Sequence, residues 1–227
     1  LVGAFFPNIG SLVLLGIYAA GILLAVLMAR LFSRFLVKGD DTPFVMELPP
    51  YRIPTAKTIF RHTWEKGAEY LKKMGGIIMI ASILIWFLGY YPQGNYETIA
   101  EQQENSYIGQ IGKAIEPVIE PLGFDWKLGV GLLSGVGAKE LVVSTLGVLY
   151  ANDGDLDSVN LSDRIPITAT VALGYMLFVL IYFPCVATLA AIKQESGSWK
   201  WAIFAAFYTT ALAWIVAFIV KQLGALI

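Results

Sequence analysis

Apolar residues run in long blocks along this chain, and the blocks set the expected elements. A membrane-spanning helix needs about 20 mostly apolar residues. Ile9 to Phe35 meets that length and ends at a basic cluster, Arg30, Arg34 and Lys38. Gly75 to Tyr91 is shorter, flanked by Lys72 and Lys73 before it and closed by Tyr90 and Tyr91. Ile165 to Ile192 and Trp199 to Lys221 are two further blocks. Trp126 to Tyr150 is also long enough, but Lys139 and Glu140 stand in its middle. Trp86, Trp126, Trp199, Trp201 and Trp214 mostly mark block ends, as interfacial anchors do. The pattern predicts an all-α fold: a polytopic α-helical membrane protein with broken or re-entrant helices.

Two blocks are interrupted, and the interruptions carry the candidate chemistry. Pro184 lacks an N–H and clashes with the preceding turn, so the carbonyl near Leu180 loses its helical partner. In a bilayer such a break is tolerated where the freed backbone is buried in protein or lines a wet cavity. Cys185, the sole thiol, sits at that break, with Tyr182 and Thr188 expected one turn either side on its face. One reading is a metal site built from the Leu180 carbonyl and the Cys185 sulfur. The other is a proline kink packed by a small apolar cysteine.

In the second interrupted block, Gly129, Gly131, Gly135 and Gly137 weaken the first half as a helix. Gly131 and Gly135 form a small-xxx-small pair suited to close helix contact. On a continuous helix Gly137, Glu140, Ser144 and Gly147 share one face. Charges at mid-membrane face a cavity or a partner, so Lys139 and Glu140 either pair to fix helix packing or serve transport. Interrupted apolar segments point to a transporter site at the midplane, here drawing on Glu140, Ser144, Cys185 and the Leu180 carbonyl. Carboxylate plus thiolate disfavours Mg²⁺ and Ca²⁺, which prefer oxygen alone, and suits first-row metals without rejecting Zn²⁺ or Cu⁺.

The polar connections divide the chain into an expected span at 1–38, a Pro-rich segment with an amphipathic interfacial helix at 39–74, a span at 75–91, an acidic external loop at 92–125, and a region at 126–227 with broken or re-entrant helices and two spans. Arg52, Lys57, Arg61, Lys66, Lys72 and Lys73 place 39–74 in the cytoplasm by the positive-inside rule. Ile59, Phe60, Thr63, Gly67, Tyr70, Leu71 and Met74 form its apolar stripe, which fits a membrane interface or a neighbouring domain. Glu97, Glu101, Glu104, Glu116, Glu120 and Asp125 make the following loop acidic, either a vestibule that concentrates cations or a solvated run. Asp153, Asp155 and Asp157 alternate as at the start of a calcium loop, but the completing glycine and glutamate are absent at the required offsets. If 126–150 crosses the membrane, the C-terminus is cytoplasmic. If it is re-entrant, Lys193 and Lys200 face the cytoplasm, which the positive-inside rule favours.

Composition narrows the class. Of 227 residues, 57% are hydrophobic and 15% charged, against roughly a quarter charged in soluble domains. The net charge of −1 gives no nucleic-acid footprint. One Cys and one His (His62) exclude an internal disulfide framework, a multi-cysteine cluster and a His-rich metal site. No base–nucleophile pair or metal-His motif marks an enzyme. Leu1 opens without an initiator Met or a signal-peptide pattern, so sequence is expected upstream.

Four stretches resemble the C-terminal membrane half of the bacterial ferrous iron transporter family FeoB. They are Phe44-Val45-Met46-Glu47-Leu48-Pro49-Pro50-Tyr51-Arg52, Gly135 through Gly147, Tyr182-Phe183-Pro184-Cys185-Val186-Ala187-Thr188, and Gly197-Ser198-Trp199-Lys200-Trp201-Ala202. The resemblance implies Fe²⁺ import across the bacterial inner membrane, with Cys185 as the gate cysteine and the 135–147 and 184–185 stretches as the second of two gates. It implies a GTPase domain, a first gate and small cytoplasmic accessory proteins as partners, a lipid bilayer as surroundings, and leaves homo-oligomerisation open. No G-x-x-x-x-G-K-[ST] phosphate loop occurs here, so GTP belongs to a domain outside this sequence. Two other functions stay open: an organic-solute carrier of the nucleoside type using Glu140 and Ser144, and a structural membrane half that docks partners.

Overall fold

The computed structural model describes residues 2–35, 55–92, 94, 99–150 and 165–225. The Pro-rich stretch through Pro54, Glu97 and the aspartates of 153–163 lie outside the described residues. Among the described residues every regular element is helical. The helices are α1 (Val2–Phe5), α2 (Gly10–Phe35), α3 (Ala56–Tyr90), α4 (Ile99–Asn105), α5 (Tyr107–Ile119), α6 (Trp126–Gly137), α7 (Leu141–Leu149), α8 (Ala169–Ile181), α9 (Val186–Ser196) and α10 (Trp199–Ala225), with a 3₁₀ turn at Glu120–Leu122. Gly10–Phe35, Ala169–Ser196 and Trp199–Gly224 are long and apolar enough to cross a membrane. The chain is an all-α membrane protein.

Two compact units appear, Leu1–Gly21 with Ile77–Ile227, and Ile22–Gly76. The smaller holds the later part of α2 and the start of α3. On α3, Arg61 pairs with Glu65 at 2.9 Å and Lys66 with Glu69 at 3.5 Å, while Ile59, Phe60, Trp64 and Leu71 remain exposed. The amphipathic stretch and the second apolar block share one uninterrupted helix rather than two. Gly75 and Gly76 do not break it, since a helical glycine costs only about 1 kcal/mol.

In the larger unit, the described part of the expected acidic loop is largely helical, in Ile99–Asn105, Tyr107–Ile119 and Glu120–Leu122. Ile108, Gly109, Gly112 and Ile119 give α5 a buried face at helical spacing. Two of its acidic side chains serve local structure: Glu104 bonds Lys113 at 2.9 Å, and Glu116 accepts from the Trp126 N–H at 3.2 Å. Pro117 and Pro121 bracket the turn after α5, and α10 supplies donors there. Trp214 Nε1 donates to the Val118 carbonyl at 2.9 Å, and Lys221 to that of Pro121 at 2.9 Å. The core gathers Leu128, Leu146, Tyr175, Phe124, Ala213 and Ala217 from α6, α7, α8, α10 and the α5–α6 connection. Gly197, in the left-handed region at φ 68°, ends α9 and turns the chain into α10.

The 126–150 block folds back on itself. Asp125 caps α6, accepting from the Leu128 N–H at 2.9 Å, and its other oxygen accepts from the Tyr150 hydroxyl at 2.7 Å. Tyr150 ends α7, so the two ends of the block meet. A single crossing of that length would hold them about 30 Å apart. The block is therefore a hairpin with Ala138–Glu140 at its tip. Asp125→Ala removes the cap and the closure together, and should destabilise the chain by about 1–2 kcal/mol. Tyr150→Phe removes only the closure. Thermal unfolding in detergent should rank Asp125→Ala below Tyr150→Phe; the reverse order would mean the closure is not held by Asp125.

Candidate functional site at two helix breaks

The break between α8 and α9 covers Tyr182 to Cys185. Tyr182 N–H closes back on the Phe178 carbonyl at 2.8 Å, and both Tyr182 and Cys185 have extended backbone, with ψ of −176° and 156°. Pro184 thus ends the helix outright instead of kinking it. Cys185 becomes the first cap residue of α9, its carbonyl accepting from the Leu189 N–H at 3.1 Å. A negative helix end and a positive one face the same gap.

The second break follows Gly137, where Ala138 is extended (φ −154°, ψ 130°). Gly137 is buried at the end of α6, whereas Glu140 and Ser144 are exposed at the start of α7. The single face expected for Gly137, Glu140, Ser144 and Gly147 is therefore interrupted, because the backbone turns after Gly137. The Ser144 hydroxyl donates to the Leu141 carbonyl at 3.1 Å.

Lys139 joins the two breaks. Its Nζ donates to the Val179 carbonyl at 3.0 Å and the Leu180 carbonyl at 3.2 Å, and lies 5.1 Å from the Tyr182 ring centroid. The Leu180 carbonyl freed by Pro184 is thus already held, by an ammonium. Hydrogen bonds to a charged group contribute about 1.5–3 kcal/mol each. Lys139 turns to these carbonyls, and the pairing with Glu140 weighed from the sequence is not what fixes the packing.

Two tyrosines lock α8 onto α6. Tyr175 donates to the Leu128 carbonyl at 3.2 Å and Tyr182 to the Leu132 carbonyl at 3.1 Å, both within buried surroundings. A side chain on Gly135 would collide with the Tyr182 hydroxyl and Val142, and one on Gly131 would press on Tyr175 and Leu146. The glycine pair expected to serve helix contact makes room for these rings. Tyr182 is 4% exposed, and its hydroxyl belongs to α6 rather than to the face of Cys185. Cys185 is half-buried and its Sγ sits 3.2 Å from the Thr188 hydroxyl.

The expected site residues therefore fall into three groups. Lys139, Leu180 and Tyr182 form one, with Gly135 beneath the tyrosine and Pro184 ending the helix. Cys185 and Thr188 form the second, and Glu140 with Ser144 the exposed third. Among the described residues no three His, Cys, Asp or Glu side chains gather to hold a metal; the donors on offer are one sulfur, the Glu140 carboxylate, hydroxyls and carbonyls. Tyr175, Leu128, Leu132 and Val179 were not singled out from the sequence. Aromatic residues seven apart facing small residues four apart was the available signal. Lys139 also lines a cavity of about 300 Å³ with Val142, Met176, Val179 and Leu180. A separate cavity of about 260 Å³ brings Gln102, Gln103, Ser134 and Thr145 beside Trp86 and Tyr90.

Residues 71–199, which contain both breaks, match the family model described as Gate, nucleoside recognition. The chain belongs to the gate family. Residues 14–66 of this gate chain match the model for the ferrous iron transport protein B C terminus. Its relatives include an Fe(2+) transport protein A/Fe(2+) transporter FeoB fusion protein of Porphyromonas gingivalis, 48% identical and covering 100% of this chain and 32% of that protein. The Fe(2+) transporter FeoB of Campylobacter jejuni is 42% identical over 96% of this chain and 37% of its own length, and that of Methanocaldococcus jannaschii 39% identical over 99% and 34%. The gate chain spans about a third of the length of these curated relatives. No solved structure matches it.

Gly135→Ala should destabilise the gate chain by about 1–3 kcal/mol through overpacking. Tyr182→Phe in the same chain removes the hydroxyl in the way and should restore part of that loss, the clash with Val142 remaining. Unfolding of the single and double variants in detergent measures the coupling. Additivity within about 0.5 kcal/mol would show that the hydroxyl does not sit over Gly135.

Proposed function

We propose that this chain is the membrane gate through which Fe²⁺ is imported across a bacterial inner membrane. The observation that carries the reading is the meeting of two broken helices, with Cys185, which bears the chain's one thiol, at the N-cap position of α9 at the gap. The names of the relatives support iron as the cargo. In this reading the hairpin of α6 and α7 is re-entrant from outside, α8–α9 crosses inward, and α10 returns. Lys193 and Lys200 then face the cytoplasm and the C-terminus lies outside, in keeping with the positive-inside rule.

Fe²⁺ sheds water as it approaches, and the exposed Glu140 carboxylate and Ser144 hydroxyl offer oxygen in its place. At the gap the Cys185 sulfur is the soft ligand, with the Thr188 hydroxyl beside it. Sulfur disfavours the hard cations that outnumber iron. A GTPase domain elsewhere in the longer protein, with GTP as its ligand, drives the rearrangement, and a first gate completes the path. The fused Fe(2+) transport protein A of one relative supports a small cytoplasmic accessory protein as partner. Assembly as a homo-oligomer is compatible with this scheme.

A second reading, a carrier of nucleoside-like solutes, draws on the cavity that gathers two glutamines and two hydroxyl side chains beside an aromatic wall. Iron uptake separates the two. In cells lacking other ferrous uptake, the full-length transporter carrying this chain should take up anaerobic Fe²⁺. Cys185→Ala should lower the initial rate about tenfold or more, as losing a ligand worth at least 1.4 kcal/mol requires. Iron uptake unaffected in both Cys185→Ala and Cys185→Ser would take Cys185 out of the path, and no Fe²⁺ uptake by the unsubstituted transporter would contradict the iron reading and favour the solute carrier.

A further inference from the structure

The lysine at the hairpin tip occupies a site with the makings of a cation site. Two carbonyl oxygens converge on it from the last turn of α8, where the helix dipole adds partial negative charge. The Tyr182 ring offers its face at 5.1 Å, within the range of cation–π attraction. At 3.0 and 3.2 Å from the two oxygens, the ammonium stands where a cation bound by those oxygens would stand. Carbonyls at a broken helix are ligands for transported cations in membrane proteins generally. Here the ligand position is filled from within the chain.

The lysine is also placed to leave. It belongs to the non-helical tip Ala138–Glu140 and not to either rigid arm of the hairpin. Its stem has four rotatable carbons, and the 300 Å³ cavity alongside gives the stem room to move. A positive cation and the ammonium cannot share the same two oxygens, because like charges at contact repel strongly where water is scarce. Occupation by one requires departure of the other.

We propose that Lys139 is a tethered cation filling the carbonyl site of the α8–α9 break, and that a transported cation takes the site only by displacing it. The proposal rests on the iron-gate reading and adds to it a closed state: with Lys139 docked, the carbonyl oxygens beside Cys185 are withheld from cargo. Displacement breaks two hydrogen bonds that join the hairpin tip to α8, so cargo binding itself loosens the contact between the two broken helices.

The test uses the purified full-length transporter carrying this chain, kept anaerobic, with Fe²⁺ and with Mn²⁺ as a probe that resists oxidation. A small amine-reactive acylating reagent is applied, and modification of Lys139 is read by peptide mass spectrometry with Lys193 and Lys200 as internal references. Saturating metal should raise the rate at Lys139 about tenfold, as a shift from mostly docked to mostly free requires, and leave the reference lysines unchanged. Lys139→Met, uncharged and similar in length, should bind either metal about tenfold more tightly, while Lys139→Arg should bind as wild type. Metal binding without a change in Lys139 reactivity would overturn the displacement and leave the iron reading standing. Absence of metal binding in both wild type and Lys139→Met would overturn the two together. If Lys139→Met does not fold, the labelling of wild type decides alone.

Discussion

Everything at the centre of this molecule depends on one ammonium group reaching two carbonyl oxygens. Within a bilayer, backbone polar groups have no water to turn to, and each unpaired one costs several kcal/mol. A broken helix and a hairpin with a charged tip would each be unstable alone in such surroundings. Lys139 resolves both defects at once. It caps the carbonyls that α8 cannot satisfy, at 3.0 and 3.2 Å, and its own charge finds acceptors and an aromatic face instead of hydrocarbon.

That contact holds only because the surrounding packing sets its register. Tyr175 and Tyr182 bond carbonyls of α6, fixing α8 against the hairpin through the space left by Gly131 and Gly135. At the far end Asp125 ties the hairpin's two ends together through Tyr150. The tip is therefore held opposite the gap that Pro184 opens. Cys185 follows as the cap of the next helix, so the thiol stands at the junction of two helix ends. The regular helices position the breaks, where the proposed function is placed.

Much of this is legible in the chain before any coordinates. The apolar blocks mark the helices, Pro184 marks one break, and Lys139-Glu140 with the glycines before it marks the other. What the sequence hides is pairing. A lysine beside a glutamate reads as a local ion pair, yet its partners lie 40 and 41 residues away, on backbone atoms that carry no residue signature. Tyr182 reads as a neighbour of Cys185 by helical spacing, and that spacing fails because the helix ends at Ile181. The 99–122 region reads as a loop because charge draws the eye, while Ile108, Ile115 and Ile119 already carry a helical period. Glu104, Glu116 and Asp125 then serve as partners and caps, which no charge count distinguishes from a vestibule.

The account stands or falls on the hairpin that carries Lys139 to the α8–α9 gap. The direct test is side-specific labelling of the full-length transporter in sealed vesicles, with Cys185→Ser removing this chain's native thiol. Single cysteines would replace Lys127 near the start of α6 and Val148 near the end of α7. A membrane-impermeant thiol reagent should reach both from the same face of the membrane, as a re-entrant hairpin requires. Reaction from opposite faces would mean that 126–150 crosses the bilayer, and the docking of its tip on the broken helix would be wrong.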